Sequence, residues 1–393
     1  MKNALKTIAA IAISFAFAVS VKAASPFDGS GAFEAPALIE VPAVTEAAPA
    51  AEPSLAGTEV PAHGYSAEQL RSMRRHNAAV GASANKGLSL GEERVERKYR
   101  PYADYEKTGY LIMSADFNFD SRQAKLLMAS KLPADATLVI FTDTYGTSKE
   151  AVLREYGSVV PRERIKVVAL RGASRGFWAR DGIPVPAMDA SDNLVVVDAV
   201  YGHGFEPDAE VARLFGAAIE KHRYYFEGGN FMANHAGECI MVDAGAHRQI
   251  PDSIFVGQYG CRRMIRLPFI DGIGHIDEHV RFISEKVVVT DLPQYKDILE
   301  GKGLTVHMMP KPAGPYETYV NSLIMDGKVI VPVFGRGTDE QALSVYRSLG
   351  LEAFGADSRS LSNKGQGSVH CITMTYPAVP ARELMKALGA TEL

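Results

Sequence analysis

YLIMS at 110–114, TLVIFTD at 137–143 and IKVVAL at 165–170 are short apolar runs rich in β-branched residues, and segments of helical periodicity over 121–132 and 148–156 separate them. Strands alternating with helices define an α/β chain. The texture continues outward: LVVVDA, ECIMVD, KVVVTD, LTVHMM and KVIVPVF read as strands, and 207–220, 293–300, 338–349 and 380–389 as helices. One-dimensional alternation does not separate a doubly wound sheet from a set of small strand–helix units, so the architecture has to come from motifs.

The folded body suggested by this pattern occupies 100–393. Upstream, residues 24 to about 64, as in EAPALIEVPAVTEAAPAAEPSLAG, lack periodicity and cannot bury enough surface to fold alone, which predicts a flexible leader. Ser66 and Gln69 have the form of a capping box, opening a short basic helix through Leu70, Met73 and Arg74, so leader and helix together fill 24–99. At the N-terminus, Lys2 and Lys6 precede an apolar run from about Ile8 to Val21, which meets the small-x-small pattern Val21-Lys22-Ala23. A membrane span needs about 18 or more apolar residues and this run is shorter, so residues 1–23 read as a secretory signal peptide. The expectation is a periplasmic or secreted protein with no membrane anchor after cleavage. The formal charge of -4 comes without a basic patch, which argues against a nucleic-acid partner.

Three cysteines leave one thiol over in an exported chain, whatever the other two do. Cys239 opens a strand and Cys261 lies in a Gly-Cys-Arg-Arg turn; they could pair, which would leave Cys371, in GQGSVHCITM, as the free thiol. His275 and Asp277 stand two apart in GHIDEHVRF, and in extended backbone they would face one ligand together. Asp181 follows Trp178 in FWARDGIP, where Arg180 is a ready partner for it. Glu227 precedes two glycines and Asn230 in FEGGN, glycines that let backbone come close.

Together these residues supply a thiolate, an acid/base and paired carboxylates, the set a cysteine hydrolase needs for a planar cation. Two carboxylates match the guanidinium's fork of N–H donors and offset the desolvation of its charge. Cys371 would attack the guanidinium carbon. His275 would protonate the departing amine and then activate water against the covalent intermediate, giving a ureido group and ammonia.

FWARDGIP, FEGGN, GHIDEHVRF, TYVNSLIM and GSVHCIT follow one another across most of 170–376. In these motifs, and in their order, the sequence resembles the guanidino-modifying superfamily, and within it the bacterial peptidylarginine deiminase and agmatine deiminase family. The resemblance implies that Asp181 and Asp277 bind the guanidinium, that His275 is the acid/base and that Cys371 is the nucleophile. It implies further that Trp178 forms an aromatic wall of the substrate channel, that Asn321 is a polar pocket residue and that Glu227 is a carboxylate in or behind the pocket. The fold it implies is a pentein, an α/β propeller of about five ββαβ-type units around a central active site, and no metal or other cofactor is called for.

Relatives acting on a C-terminal arginine resemble one another in holding the α-carboxylate with arginines after the first aspartate motif. The corresponding stretch here, LVVVDAVYGHGFEPDAE, contains none, although Arg171, Arg175, Arg223, Arg262 or Arg263 could supply a clamp from elsewhere. Agmatine needs no clamp, but export separates the protein from the cytoplasmic agmatine pool, so arginine in peptides or proteins is the expected substrate. Agmatine, giving N-carbamoylputrescine, is the alternative. An amidinotransferase and a guanidine-binding protein without turnover are further readings, which ammonia release would set aside.

Overall fold

A computed structural model describes residues 60–85, 95–144 and 147–379. They lie within one of the chain's two units, Ala32–Leu393. The signal peptide, residues 24–59 of the leader and the helix expected over 380–389 lie outside the described residues.

The strands form five small sheets built to one plan, an antiparallel pair followed by a helix and a parallel strand. Val185–Met188 pairs antiparallel with Leu194–Val200; the helix Asp208–Phe215 then crosses to the parallel strand Ala218–Tyr225. Met232–Ala233, Glu238–Asp243 and Arg263–Pro268 repeat this, with the helix Asp252–Gly257 between the last two. So do Val280–Phe282, Val287–Thr290 and Thr305–Met308 around Pro293–Glu300, and Leu323–Met325, Lys328–Val333 and Glu352–Asp357 around Asp339–Ser348. The remaining sheet joins distant parts of the chain: Met374–Pro377 pairs antiparallel with Thr108–Ser114, which continues in parallel through Thr137–Thr142 to Ile165–Ala169.

The hydrophobic runs follow from burial on both faces of these sheets. Leu111, Met113, Leu138 and Ile140 enter one core cluster while Ile112, Val139 and Phe141, their alternate neighbours, enter another. The helix expected over 207–220 is shorter. Gly216 at φ 60° ends it in the left-handed conformation that glycine adopts freely, and AIEKHRYY continues as a strand whose mixed polar sequence had concealed it.

The helix after Ser66 runs Ala67–Asn85 and carries the capping box, with Gln69 N–H donating to Ser66 Oγ and Ser66 N–H to Gln69 Oε1. It is fastened to the body: Asn77 is fully buried, donating to the carbonyls of Tyr225 and Ala246 and accepting from Tyr225 N. The flexible leader also ends sooner than expected. Val60 and His63 are buried, at 7% and 2% exposure, because 60–65 lies in a groove already formed by the body.

Cys239 and Cys261 form a disulfide that closes a 22-residue separation and ties the opening of Glu238–Asp243 to the turn before Arg263–Pro268. A loop of this length is worth about 3 kcal/mol in the chain-entropy account. Cys239→Ser with Cys261→Ser should therefore lower the unfolding free energy by about that amount in denaturant titrations; an unchanged midpoint would show the bridge to be idle.

Candidate active site

Each of the five connections between sheets delivers polar residues to one place. Asp181 comes from the link before Val185–Met188, Glu227 and Gly229 from that before Met232–Ala233, and His275 and Asp277 from that before Val280–Phe282. Asn321 precedes Leu323–Met325, and Cys371 precedes Met374–Pro377.

Cys371 is a free, buried thiol. Asn321 holds it from two directions, its Nδ2 lying 3.2 Å from Sγ while its Oδ1 accepts from His370 N at 3.0 Å and from Cys371 N at 3.4 Å. The thiol donates towards Asp277 Oδ2 at 3.7 Å. Burial, then the negative charges of Asp277 and Asp181, push its pKa well above the ordinary thiol value.

His275 and Asp277 do share the site, but not by extended backbone. Ile276–Glu278 is a 3₁₀ turn, with Glu278 Oε2 accepting from Ile273 N and His275 N. His275 Nδ1 lies 3.8 Å from Asp181 Oδ1, and its Nε2 lies 3.9 Å from Glu227 Oε2. Although burial opposes the charge, Asp181, Glu227 and Asp277 raise the imidazolium pKa to about 10. Asp277 is held down to about 2, against its burial, by the hydrogen bond from His370 and the charges of His275 and Arg281. Asp277 Oδ1 is buried and without a hydrogen-bond partner among the described residues.

The alternative in which Asp181 is occupied by its neighbour Arg180 is not what the fold shows; Arg180 turns away to Asp104 at 3.3 Å. Asp181 Oδ1 instead accepts from Gly229 N at 2.8 Å, and Oδ2 takes the Nε2 of His63. A Cβ on Gly229 would lie 2.8 Å from both Asp181 Oδ1 and His275 Nδ1 and 3.3 Å from Asp277 Oδ2, so this glycine leaves open the space between the three groups. Gly229→Ala should fold normally and reduce kcat/KM about a hundredfold, as misplacement of reacting groups by about 1 Å does. Unimpaired turnover in this variant would put the reaction elsewhere.

Glu227 binds His247 Nε2 and accepts from Tyr65 Oη at 2.9 Å; despite its burial, His247 and His275 hold its carboxyl well below the usual range. Trp178 is fully buried, and the face expected to line an open channel is covered by the His63 ring, stacked at 4.4 Å and 11°.

Behind the Cys371 thiol lies a charged layer that the sequence motifs did not reveal. His370 Nδ1 donates to Asp277 Oδ2 at 2.7 Å, while Arg281 Nη1 donates both to His370 Nε2 and to Asp104 Oδ2. Burial and the Arg180 and Arg281 charges lower the His370 pKa, favouring the neutral ring, whose Nε2 also lies 2.9 Å from Asp104 Oδ2. The neighbouring letters in VHC were the available signal for His370; nothing in the sequence around Asp104 gave one. Of the arginines considered as a carboxylate clamp, Arg262 and Arg263 pair with Glu238, Arg175 donates to Gly204 O, and Arg171 and Arg223 are exposed. His63, Asp181 and His275 present possible metal ligands within 4.8 Å of one another, as do Glu227, His247 and His275.

The family profile described as Porphyromonas-type peptidyl-arginine deiminase matches residues 122–377. A putative agmatine deiminase of Streptomyces coelicolor is 26% identical over 258 residues, 51% of this chain and 75% of that protein. One from Shewanella frigidimarina is 25% identical over 315 residues, 65% of this chain and 79% of its own length. The crystal structure of a putative arginine deiminase from Porphyromonas gingivalis superposes with a TM-score of 0.57 at 19% identity, covering 71% of this chain and 98% of that one. The C. jejuni agmatine deiminase gives 0.58 at 17% identity, with 72% and 97% covered. At these identities the superpositions establish a shared fold, the α/β pentein fold of those enzymes.

Proposed function

This chain belongs to the Porphyromonas-type peptidyl-arginine deiminase family, hydrolases acting on C–N bonds of linear amidines, and from that premise we propose that it is an exported enzyme converting arginine side chains in peptides to ureido groups and ammonia. The observation that carries the reaction is the buried free thiol of Cys371 set beside two carboxylates with an imidazolium between them. The five units are taken to stand cyclically about this centre, as in a propeller, a reading supported by the five connections that reach it.

The guanidinium lies between Asp277 Oδ1, which lacks a partner among the described residues, and Asp181 Oδ2, which becomes free when His63 leaves it. Its charge offsets the field of the carboxylates, so the thiol gives up its proton to solvent, from which the departing ammonia later recovers one as ammonium, and Sγ attacks the central carbon. His275 gives its proton to one nitrogen as the C–N bond breaks, and ammonia departs. The neutral imidazole then takes a proton from water as the oxygen adds to the thiouronium carbon; the C–S bond breaks, returning Cys371 and the ureido product.

Export is supported by the disulfide, a bond that persists in oxidising compartments, and by the signal-like residues 1–23. No described helix is long and apolar enough to cross a membrane. Agmatine is the second reading, favoured by the names of the curated relatives. Incubation with free arginine, agmatine and short arginine peptides, with ammonia and ureido product measured in each, tests both. Conversion of the peptides is expected; conversion of agmatine alone gives the second reading, and no conversion of any guanidine sinks the assignment. N-terminal sequencing of protein recovered outside the cytoplasm should begin after Ala23.

A further inference from the structure

The groove over the candidate active centre is filled by the chain itself. Residues 61–65, Pro-Ala-His-Gly-Tyr, cross it with main-chain groups bonded on both sides of His63. Trp178 Nε1 donates to Pro61 O at 3.0 Å, and His63 N donates to Gly365 O at 2.8 Å. His203 Nε2 lies 3.1 Å from His63 O, and Gly64 N donates to Gln366 Oε1 at 3.2 Å. From this backbone the His63 side chain turns inward, stacks on Trp178, meets His275 edge-on at 5.2 Å and places Nε2 on Asp181. Tyr65 stacks on His203 at 4.5 Å and donates to Glu227. Glycines lie against both rings: a Cβ on Gly202 would lie 2.6 Å from Tyr65 Oη, and one on Gly367 2.4 Å from Trp178 Cζ3 and 2.8 Å from His63 Nδ1.

We propose that residues 61–65 are a built-in pseudosubstrate: His63 occupies the place of a substrate side chain, and the groove is made for an arginine inside a peptide, which must displace this segment to react. The proposal rests on the deiminase reading of the site and names its substrate class. The four main-chain contacts are independent of side-chain identity, so any peptide backbone could make them, whereas a free diamine-type guanidine could use none. They also continue past His63 on its C-terminal side. Where a C-terminal arginine would present its carboxylate, His63 presents a carbonyl to His203, a residue whose burial favours the uncharged ring and which therefore makes a poor anion clamp. The imidazole N–H on Asp181 is a planar donor against a carboxylate, stacked on an indole, which is the chemistry a guanidinium would use there.

A segment attached to the body competes at a high effective concentration, and the apparent affinity for substrate falls by the fraction of molecules left open. The full-length chain and its His63→Ala variant should be compared on a short peptide with an internal arginine and both ends blocked, and on agmatine. The variant is expected to raise kcat/KM for the peptide by about tenfold or more, as it would if fewer than about one molecule in ten is open at rest. Tyr65→Phe, which removes only the bond to Glu227, should shift the rate in the same direction by less, and serves if His63→Ala does not fold. A synthetic blocked peptide carrying residues 60–66 should inhibit the opened variant competitively, and the same peptide with the substitution His63→Arg should be converted to the ureido form. Equal rates for wild type and both variants, or a substituted peptide that is bound no better than agmatine and left unconverted, would overturn the proposal while leaving the deiminase reading standing. If no variant releases ammonia from any guanidine, the deiminase reading itself has failed, and this proposal with it.

Discussion

Cys371→Ala is expected to abolish ammonia release while the protein remains folded. A covalent route has no substitute nucleophile: the Asn321 amide, at 3.2 Å through Nδ2 and 3.5 Å through Oδ1, and Asp277 Oδ2 at 3.7 Å are the polar groups bonded to Sγ, and neither an amide nor a carboxylate held to about 2 by its neighbours replaces a thiolate in attack on a guanidinium carbon. The structural loss is one sulfur at the edge of the cluster containing Trp178, Val369 and Ile372, a small cavity well within what a domain of this size tolerates. Turnover should fall below about a thousandth of the native rate, in line with removal of a nucleophile from other covalent enzymes. Residual release above that level, with circular dichroism unchanged, would contradict a covalent mechanism at this thiol.

The second large effect has two opposite signs, which distinguishes it from general damage. Asp277→Asn keeps the shape but removes the charge that pairs with the guanidinium, and breaking one partner of a buried ion pair costs roughly 3–5 kcal/mol, about a thousandfold in kcat/KM. The same substitution removes the first charge that, after burial, holds the Cys371 thiol up. The thiol pKa should therefore fall, and a neutral alkylating agent should label Cys371 faster in the variant at neutral pH than in the wild type. In the wild type a haloacetamidine, which brings its own cation, should outrun the neutral reagent; the measurement is the alkylation rate against pH with both reagents, using Cys371→Ala as the blank. Equal rates for the two reagents, with a thiol pKa below neutral in the wild type, would replace substrate-assisted ionisation with a standing thiolate–imidazolium pair.

That Cys371, His275, Asp181 and Asp277 could share one site was legible because each sits in a short motif whose residue types suit the chemistry, and the fold does bring them together. The layer behind them was not: Asp104 stands in PYADYEK, with neither periodicity nor glycine to mark it, and becomes significant only when the fold brings Arg180, Arg281 and His370 around it. A buried charge reads in sequence like a solvated one. The α/β alternation was read well where strands are buried on both faces, as at Leu111–Met113 and Leu138–Ile140, and badly where a strand is half exposed, as at Ala218–Tyr225. The leader fails differently. Its composition cannot build a core, which is true of it in isolation, but 61–65 needs none when a finished groove supplies the burial and the hydrogen bonds.

The sheet joining Met374–Pro377 to Thr108–Ser114 has a consequence for when the enzyme comes alive during its manufacture. Cys371 immediately precedes the final described strand, so its placement waits on a pairing between residues more than 250 positions apart, the kind of long-range closure that is slow and comes late in folding. A chain whose other units are in place but in which this pairing is not yet made would remain inert. Reactivity at this thiol thus arrives with the closing of the sheet rather than with the folding of any single unit.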